Sequence, residues 1–266
     1  MDTQFFVDLT PCTNLQSLSW RGIAHLNDFD TVRKCLVLNI KTIKHLILDL
    51  IDWTSAEHIW FRSYRWDRDN KTFRSMPDNF FARKVLGIFE DKTPILLESL
   101  QSLTLSALSF SVSPTEMAHA FNMSNLHTLK LFNCPYSLDL LLKLANQTND
   151  LIKCKSFELV LTTAGSLDWD ETTENAVSAF LQAFHGLEDL YLMLPETTKW
   201  KIILESILYH EDTLQRLVLH NDGTYYGGPP LPVTCLRQIC HAKSLSCMGL
   251  AASMENVVCR YFLTCS

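Results

Sequence analysis

The sequence predicts an α/β solenoid, a horseshoe with a concave parallel sheet and convex helices, built from about eight irregular repeats in one domain spanning 1–266. Three observations carry this. A line of the form Leu-x-x-Leu-x-Leu recurs, at its fullest as Leu126, Leu129 and Leu131 followed by Asn133 and Cys134. Its first position falls at 15, 43, 100, 126, 154, 187, 214 and 245. Most of these intervals lie near the period of about 20 to 29 residues of a strand-plus-helix repeat. Between the lines, apolar residues take the i, i+3, i+4 spacing of a helix.

In chain order the strands centre on Leu15, Leu18 and Trp20, then Ile43, Leu46 and Leu48, then Leu100, Leu103 and Leu105, then Leu126, Leu129 and Leu131. A degenerate line starts at Cys154, and Leu187, Leu190 and Leu192, Leu214, Leu217 and Leu219, and more weakly Leu245, Met248 and Leu250 complete the series. The 57-residue interval from Ile43 to Leu100 amounts to two periods, so one repeat there is eroded or filled by an insertion. Among the intervening segments, Leu138, Leu141, Leu142 and Ala145 form a helical stripe with Ser137 as its cap, and Val177, Phe180, Leu181 and Phe184 form another. Shorter stripes are Val85, Ile88 and Phe89, then Leu204, Ile207 and Leu208, then Leu236, Ile239 and Cys240. Neither element covers its apolar face alone, so stacked neighbours make one continuous core.

Side chains alternate across a strand, so the leucines point inward and the residues between them point out. The outward face then reads Ser17 and Ser19, His45 and Ile47, Ser102 and Thr104, Thr128 and Lys130, Ser156 and Glu158, Asp189 and Tyr191, Arg216 and Val218, Cys247 and Gly249. Solenoids offer extended concave surfaces to partners. The candidate partner-binding residues are therefore His45, Ile47, Ser102, Thr104, Thr128, Lys130, Asp189, Tyr191, Arg216 and Val218.

At 266 residues and 47% hydrophobic the chain can bury a large core. A formal charge of -6 speaks against a general phosphate-backbone binder and favours no other partner class. Nine cysteines, an odd number without paired spacing, suit a reducing compartment. Cys134 occupies the Asn-or-Cys place of its repeat, while Cys35, Cys154 and Cys240 sit in apolar surroundings, where a thiol behaves as a small hydrophobe. The first residues do not resemble a secretory signal, and no apolar run approaches the roughly 18 residues of a membrane span. The expectation is a soluble intracellular chain, cytoplasmic or nuclear, in which the glycosylation acceptors at Asn122 and Asn146 carry no meaning.

Insertions are expected near 53–79 and 222–233. The first interleaves Trp53, Trp60, Phe61, Tyr64 and Trp66 with Arg62, Arg65, Arg68, Lys71 and Arg74. Such a mixture suits binding hot spots or base stacking, but an amphipathic segment packing its rings on the solenoid, its arginines in water, is the favoured reading. The second is rich in glycine and proline and reads as a tolerated surface loop. Thr162 to Thr173 reads as a polar acidic loop.

The residues offer little catalytic chemistry. Cys235, Cys240, His241 and Cys247 lack the paired spacing of a zinc site, so neither metal nor cofactor is expected. His210, Glu211 and Asp212 read as a solvated turn, and Asp168 and Asp170 have no partner histidine. No phosphate loop, nucleophile elbow or dinucleotide fingerprint occurs. The expectation is a protein that is not an enzyme and takes no small-molecule substrate.

The lines at Leu100–Leu105, Leu126–Cys134, Leu187–Leu192 and Leu214–Leu219 resemble the leucine-rich repeat superfamily of the ribonuclease-inhibitor type, over nearly the whole chain. Tyr209 to His220, with the irregular repeats, is similar to fungal F-box and leucine-rich repeat proteins. That resemblance implies a non-catalytic protein-binding scaffold acting in substrate recognition for a ubiquitin ligase. The first repeat begins by Leu15, which leaves no room for the F-box itself. Both ends look unfinished, as in a fragment, a truncated product or a subunit capped by another chain. The rival reading is an RNA-binding or enzymatic protein that uses the 53–74 insertion.

Overall fold

Alternation of apolar and polar residues at the repeated lines produces strands β1 (Ser17–Arg21), β2 (His45–Asp49), β3 (Ser102–Ser106), β4 (Thr128–Phe132), β5 (Ser156–Val160), β6 (Asp189–Pro195), β7 (Arg216–Asp222) and β8 (Cys247–Ala251). The structure, a computed structural model, describes residues 7–22, 26–49, 85–86, 97–108, 110, 118, 120–146, 152–162, 172–195, 197–222 and 233–251. The eight strands form a single open sheet, all parallel, in chain order. The chain is thus α/β, with helices packed against the apolar side of the sheet.

The register repeats the sequence pattern position for position, pairing Leu103 with Leu129, Leu129 with Phe157, Phe157 with Leu190 and Leu190 with Leu217. At every junction between neighbouring strands the carbonyl just before one strand accepts two successive N–H groups of the next. Gln101 O takes His127 N at 2.8 Å and Thr128 N at 3.0 Å, and Lys155 O takes Glu188 N at 2.8 Å and Asp189 N at 2.9 Å. Each strand start is therefore fixed to its predecessor by backbone bonds that do not depend on side-chain identity. Strand β2 pairs directly with β3, so the 57-residue interval adds no rung between them.

Among the described residues, three strands are followed by a left-handed residue: Gly22 (φ 77°), Ala107 (φ 56°) and Asn133 (φ 48°). Their N–H groups donate to Asp49, Phe132 and Val160 on the next strand. Glycine and asparagine take this conformation readily, whereas alanine pays about 1 to 2 kcal/mol. Asn133 also accepts the Thr162 N–H at 2.9 Å, and the Cys134 thiol donates to Leu105 O at 3.4 Å. The Asn-Cys pair singled out in the sequence thus closes polar backbone groups at the strand exits.

The inward residues of β2 to β7, from Leu46 and Leu48 through Phe157 and Leu159 to Leu217 and Leu219, are at most 2% exposed. Trp20 on β1 and Met248 and Leu250 on β8, the outermost strands, are only partly buried. No helix among the described residues is long and apolar enough to cross a membrane.

Five α-helices are described: α1 (Leu26–Leu38), α2 (Ser137–Asn146), α3 (Thr172–Gln182), α4 (Trp200–Ile207), which runs into a 3-10 turn at Leu208–His210, and α5 (Val233–Cys240). The buried stripe of α2 is wider than expected, taking in Leu140 and Leu144 beside Leu138, Leu141 and Ala145, with Leu142 half-buried. Ser137 does not cap α2. Tyr136 ahead of it is left-handed (φ 61°), the Ser137 N–H donates to Cys134 O, and the residue lies inside the helix with its hydroxyl buried and unpartnered.

In α3, Val177, Phe180 and Leu181 are buried as expected, with Phe184 just beyond. The helix takes over Thr172 and Thr173, which the sequence assigns to the acidic loop, because the buried Glu174 accepts the Lys199 N–H at 2.6 Å and anchors this first turn beside the start of α4. On α5 the expected core position of Cys240 is not observed. Ile239 takes the inward place, and one helical step of about 100° turns Cys240 to an exposed position, 3.7 Å from Met248 Sδ. Val85 is buried, whereas 88 and 89 lie outside the described residues.

Before β1, the buried Asn39 accepts the Leu15 N–H at 2.8 Å and donates to Cys12 O and Cys35 O, both at 2.9 Å. One amide at the end of α1 thereby satisfies three backbone groups and holds the segment leading into the sheet.

Candidate partner-binding face

The side of the sheet opposite the helices carries every predicted contact residue. His45 and Arg216 are exposed, and Ile47, Ser102, Thr104, Thr128, Lys130, Asp189, Tyr191 and Val218 are partly exposed. Strand register arranges them in two rows. His45, Ser102, Thr128, Ser156, Asp189 and Arg216 lie side by side in the first, and Ile47, Thr104, Lys130, Glu158, Tyr191 and Val218 in the second.

Neighbouring charges close on one another within these rows. Lys130 Nζ lies 2.9 Å from Glu158 Oε2, and Arg216 grips Asp189 with Nε at 2.5 Å and a terminal nitrogen at 2.8 Å. The hydrogen bond to Asp189 holds the guanidinium above its ordinary range. A third pair, Lys155 to Glu188 at 2.7 Å, sits where the strands begin. The mixed charges that the sequence places on this face are therefore largely neutralised pairwise.

A third outward row escaped the sequence reading. Each strand runs at least one residue past the final apolar position of its repeat line, Trp20 in β1 and a leucine in the others, which brings Arg21, Asp49, Ser106, Phe132, Val160, Met193 and His220 into line. Its centre, Phe132, Val160 and Met193, is apolar and partly exposed. The signal was present in the sequence as apolar residues two beyond Lys130, Glu158 and Tyr191, but the repeat line stops one place short of them.

His210 is not the solvated residue its neighbours suggest. It is 2% exposed, its Nε2 bonds to Leu181 O at 2.8 Å, and its ring packs 5.2 Å from that of Phe184, while Glu211 and Asp212 are exposed. The 3-10 turn that follows α4 rotates the imidazole under α3. Nδ1 is buried without a hydrogen-bond partner, so protonation would bury an unpaired N–H and charge. Burial pushes its pKa below the ordinary value; the Leu181 carbonyl opposes this and His185 adds to it. The folded chain then binds fewer protons here than the unfolded chain. Stability is complete above the unfolded value of about 6.5 and is lost as pH falls through it toward the folded value. Urea unfolding midpoints should decline in that window, and the decline should be smaller in His210→Gln. Equal slopes for both chains would overturn this assignment.

The thiols offer no accessible nucleophile in the core. Burial pushes Cys134 and Cys154 up to about 12 and also raises Cys35, so these groups stay protonated at neutral pH. Among the described residues no three His, Cys, Asp or Glu side chains gather to hold a metal. The aromatic and arginine insertion at 53–74, the loop at 223–232, Asp168 and Asp170 lie outside the described residues. No family model, curated protein or solved structure matches the chain.

Proposed function

We propose that the chain is a leucine-rich repeat of the ribonuclease-inhibitor type acting as a non-catalytic protein-binding scaffold, with the outward rows of its sheet as the concave partner surface. The observation that carries this is the common register of all the strands, which sets interchangeable side chains in straight rows over a leucine ladder. Such a surface can change its outward residues without disturbing the core, as a recognition scaffold requires. The similarity of Tyr209 to His220 to F-box and leucine-rich repeat proteins gives substrate recognition for a ubiquitin ligase as the cellular role.

The test joins capture to stability. Lys130→Glu combined with Tyr191→Ala puts two carboxylates together and removes a ring from the face. It is expected to cut recovery of proximity-labelled partners by about tenfold, the scale of a lost contact hot spot, with the melting temperature lowered by no more than about 2 to 4 °C by the like-charge pair. Repeated recovery of ligase adaptor subunits by the native chain supports the ubiquitin role. Partners retained in full by the double variant would remove the sheet face from the proposal.

A further inference from the structure

We propose that the row Phe132, Val160 and Met193 receives an amphipathic helix of a partner protein, laid across the strands with an uncharged apolar stripe against them. This rests on reading the sheet face as a partner surface.

Direction comes first. The apolar lane runs from strand to strand, pairing Phe132 with Val160 and Val160 with Met193. Along each strand it is interrupted within four residues, by Lys130 and Thr128 on β4, Glu158 and Ser156 on β5, and Asp189 on β6. Ser106 and His220 bound it at the two ends. An apolar partner stripe must therefore cross the strands.

Spacing then selects the occupant. Adjacent strands stand about 4.8 Å apart, whereas same-face residues of an extended strand recur at about 6.7 Å. Helical residues one turn apart recur at about 5.4 Å. Over the two steps from Phe132 to Met193 a helix drifts by about 1 Å and an extended peptide by about 4 Å. Only the helix keeps one side chain over each strand.

Charge completes the description. The ion pair flanking the lane, Lys130 with Glu158, is satisfied within the face, as is Asp189 with Arg216 two rows back. Among the described residues, a partner carboxylate or ammonium seated over Val160 would find no unpaired opposite charge in the adjoining row and would lose its hydration. Tyr191 and Val218, one row back, widen the neutral area.

A displayed library of short random peptides, panned on the full chain, tests this. Enriched peptides should carry apolar residues at i, i+3 or i+4, and i+7, and bind almost equally at low and high sodium chloride. They should lose about tenfold or more in affinity on Val160→Glu, while Lys201→Glu, at an exposed position on helix α4 and away from the sheet face, changes little. Met193→Ser should weaken binding in the same direction and serves if the first variant does not fold, judged by circular dichroism. Salt-sensitive charged peptides, or apolar peptides of period two, would overturn the helix while leaving the scaffold reading in place. Failure to recover any peptide that responds to a substitution on the sheet face would overturn both.

Discussion

Alanine at Leu129 should lower the unfolding free energy by about 2 to 5 kcal/mol, the range for deleting a buried leucine side chain from a packed core. Leu129 is 1% exposed and stands between Leu103 and Phe157 on the neighbouring strands, so its loss leaves an apolar cavity. The adjacent residue gives the control. Lys130 points to the other side, its side chain keeps 37% of its surface in solvent, and its pair with Glu158 is largely screened. Lys130→Ala is therefore expected to change stability by no more than about 1 kcal/mol. Urea denaturation of the two variants reads the difference directly. A silent Leu129→Ala would mean that the alternation on β4 is out of phase, and every row on the outward face would shift with it.

That alternation was legible in the sequence because two independent periods agree there. Side chains switch faces every second residue, and the whole line returns about once per repeat, so an error in one strand is corrected by its neighbours. Even the degenerate line at Cys154 keeps its place: Phe157 and Leu159 occupy the ladder between Leu129 and Leu131 on one side and Leu190 and Leu192 on the other. The predicted contact residues from His45 to Val218 lie on the outward face for the same reason.

What the sequence hid depends on contacts between distant segments. His210 sits beside two acids in a turn, and only the packing of α3 over that turn buries it. Cys240 belongs to an apolar-looking stripe, but a two-turn helix has few inward places and Ile239 occupies one. Asn39 shows no local signal at all, since its three backbone partners lie partly in the segment before β1. The charge pairs are an intermediate case. Lys130 and Glu158, like Asp189 and Arg216, hold equivalent positions in adjacent repeats, so the pairing follows once neighbouring repeats are known to be neighbouring strands. Phe132, Val160 and Met193 are equally within reach of that reasoning, but they fall outside the repeat line, which ends at the preceding leucine.

Phe180→Ala is expected to cost about 3 to 5 kcal/mol, the largest single loss foreseen for the helix layer. The degenerate repeat explains why. Cys154 stands where the neighbouring repeat has Leu126, and Phe157 where it has Leu129, so volume lost at one place returns as a ring at the other. That ring projects toward α3 and meets Phe180 at 4.8 Å between centroids, tilted by 57°, and Phe180 in turn lies 5.3 Å from Phe184. Aromatic pairs in this arrangement contribute about 0.5 to 1.5 kcal/mol beyond their buried area. Phe180 is fully buried, so alanine leaves a cavity bounded by strand β5 on one side and the rest of α3 on the other. Phe180→Leu keeps most of the volume while giving up the ring contacts, and should cost clearly less than the alanine variant. If urea unfolding put the alanine variant no lower than the leucine variant, Phe180 would not be a packing contact between α3 and β5, and the enlarged Phe157 would need another explanation.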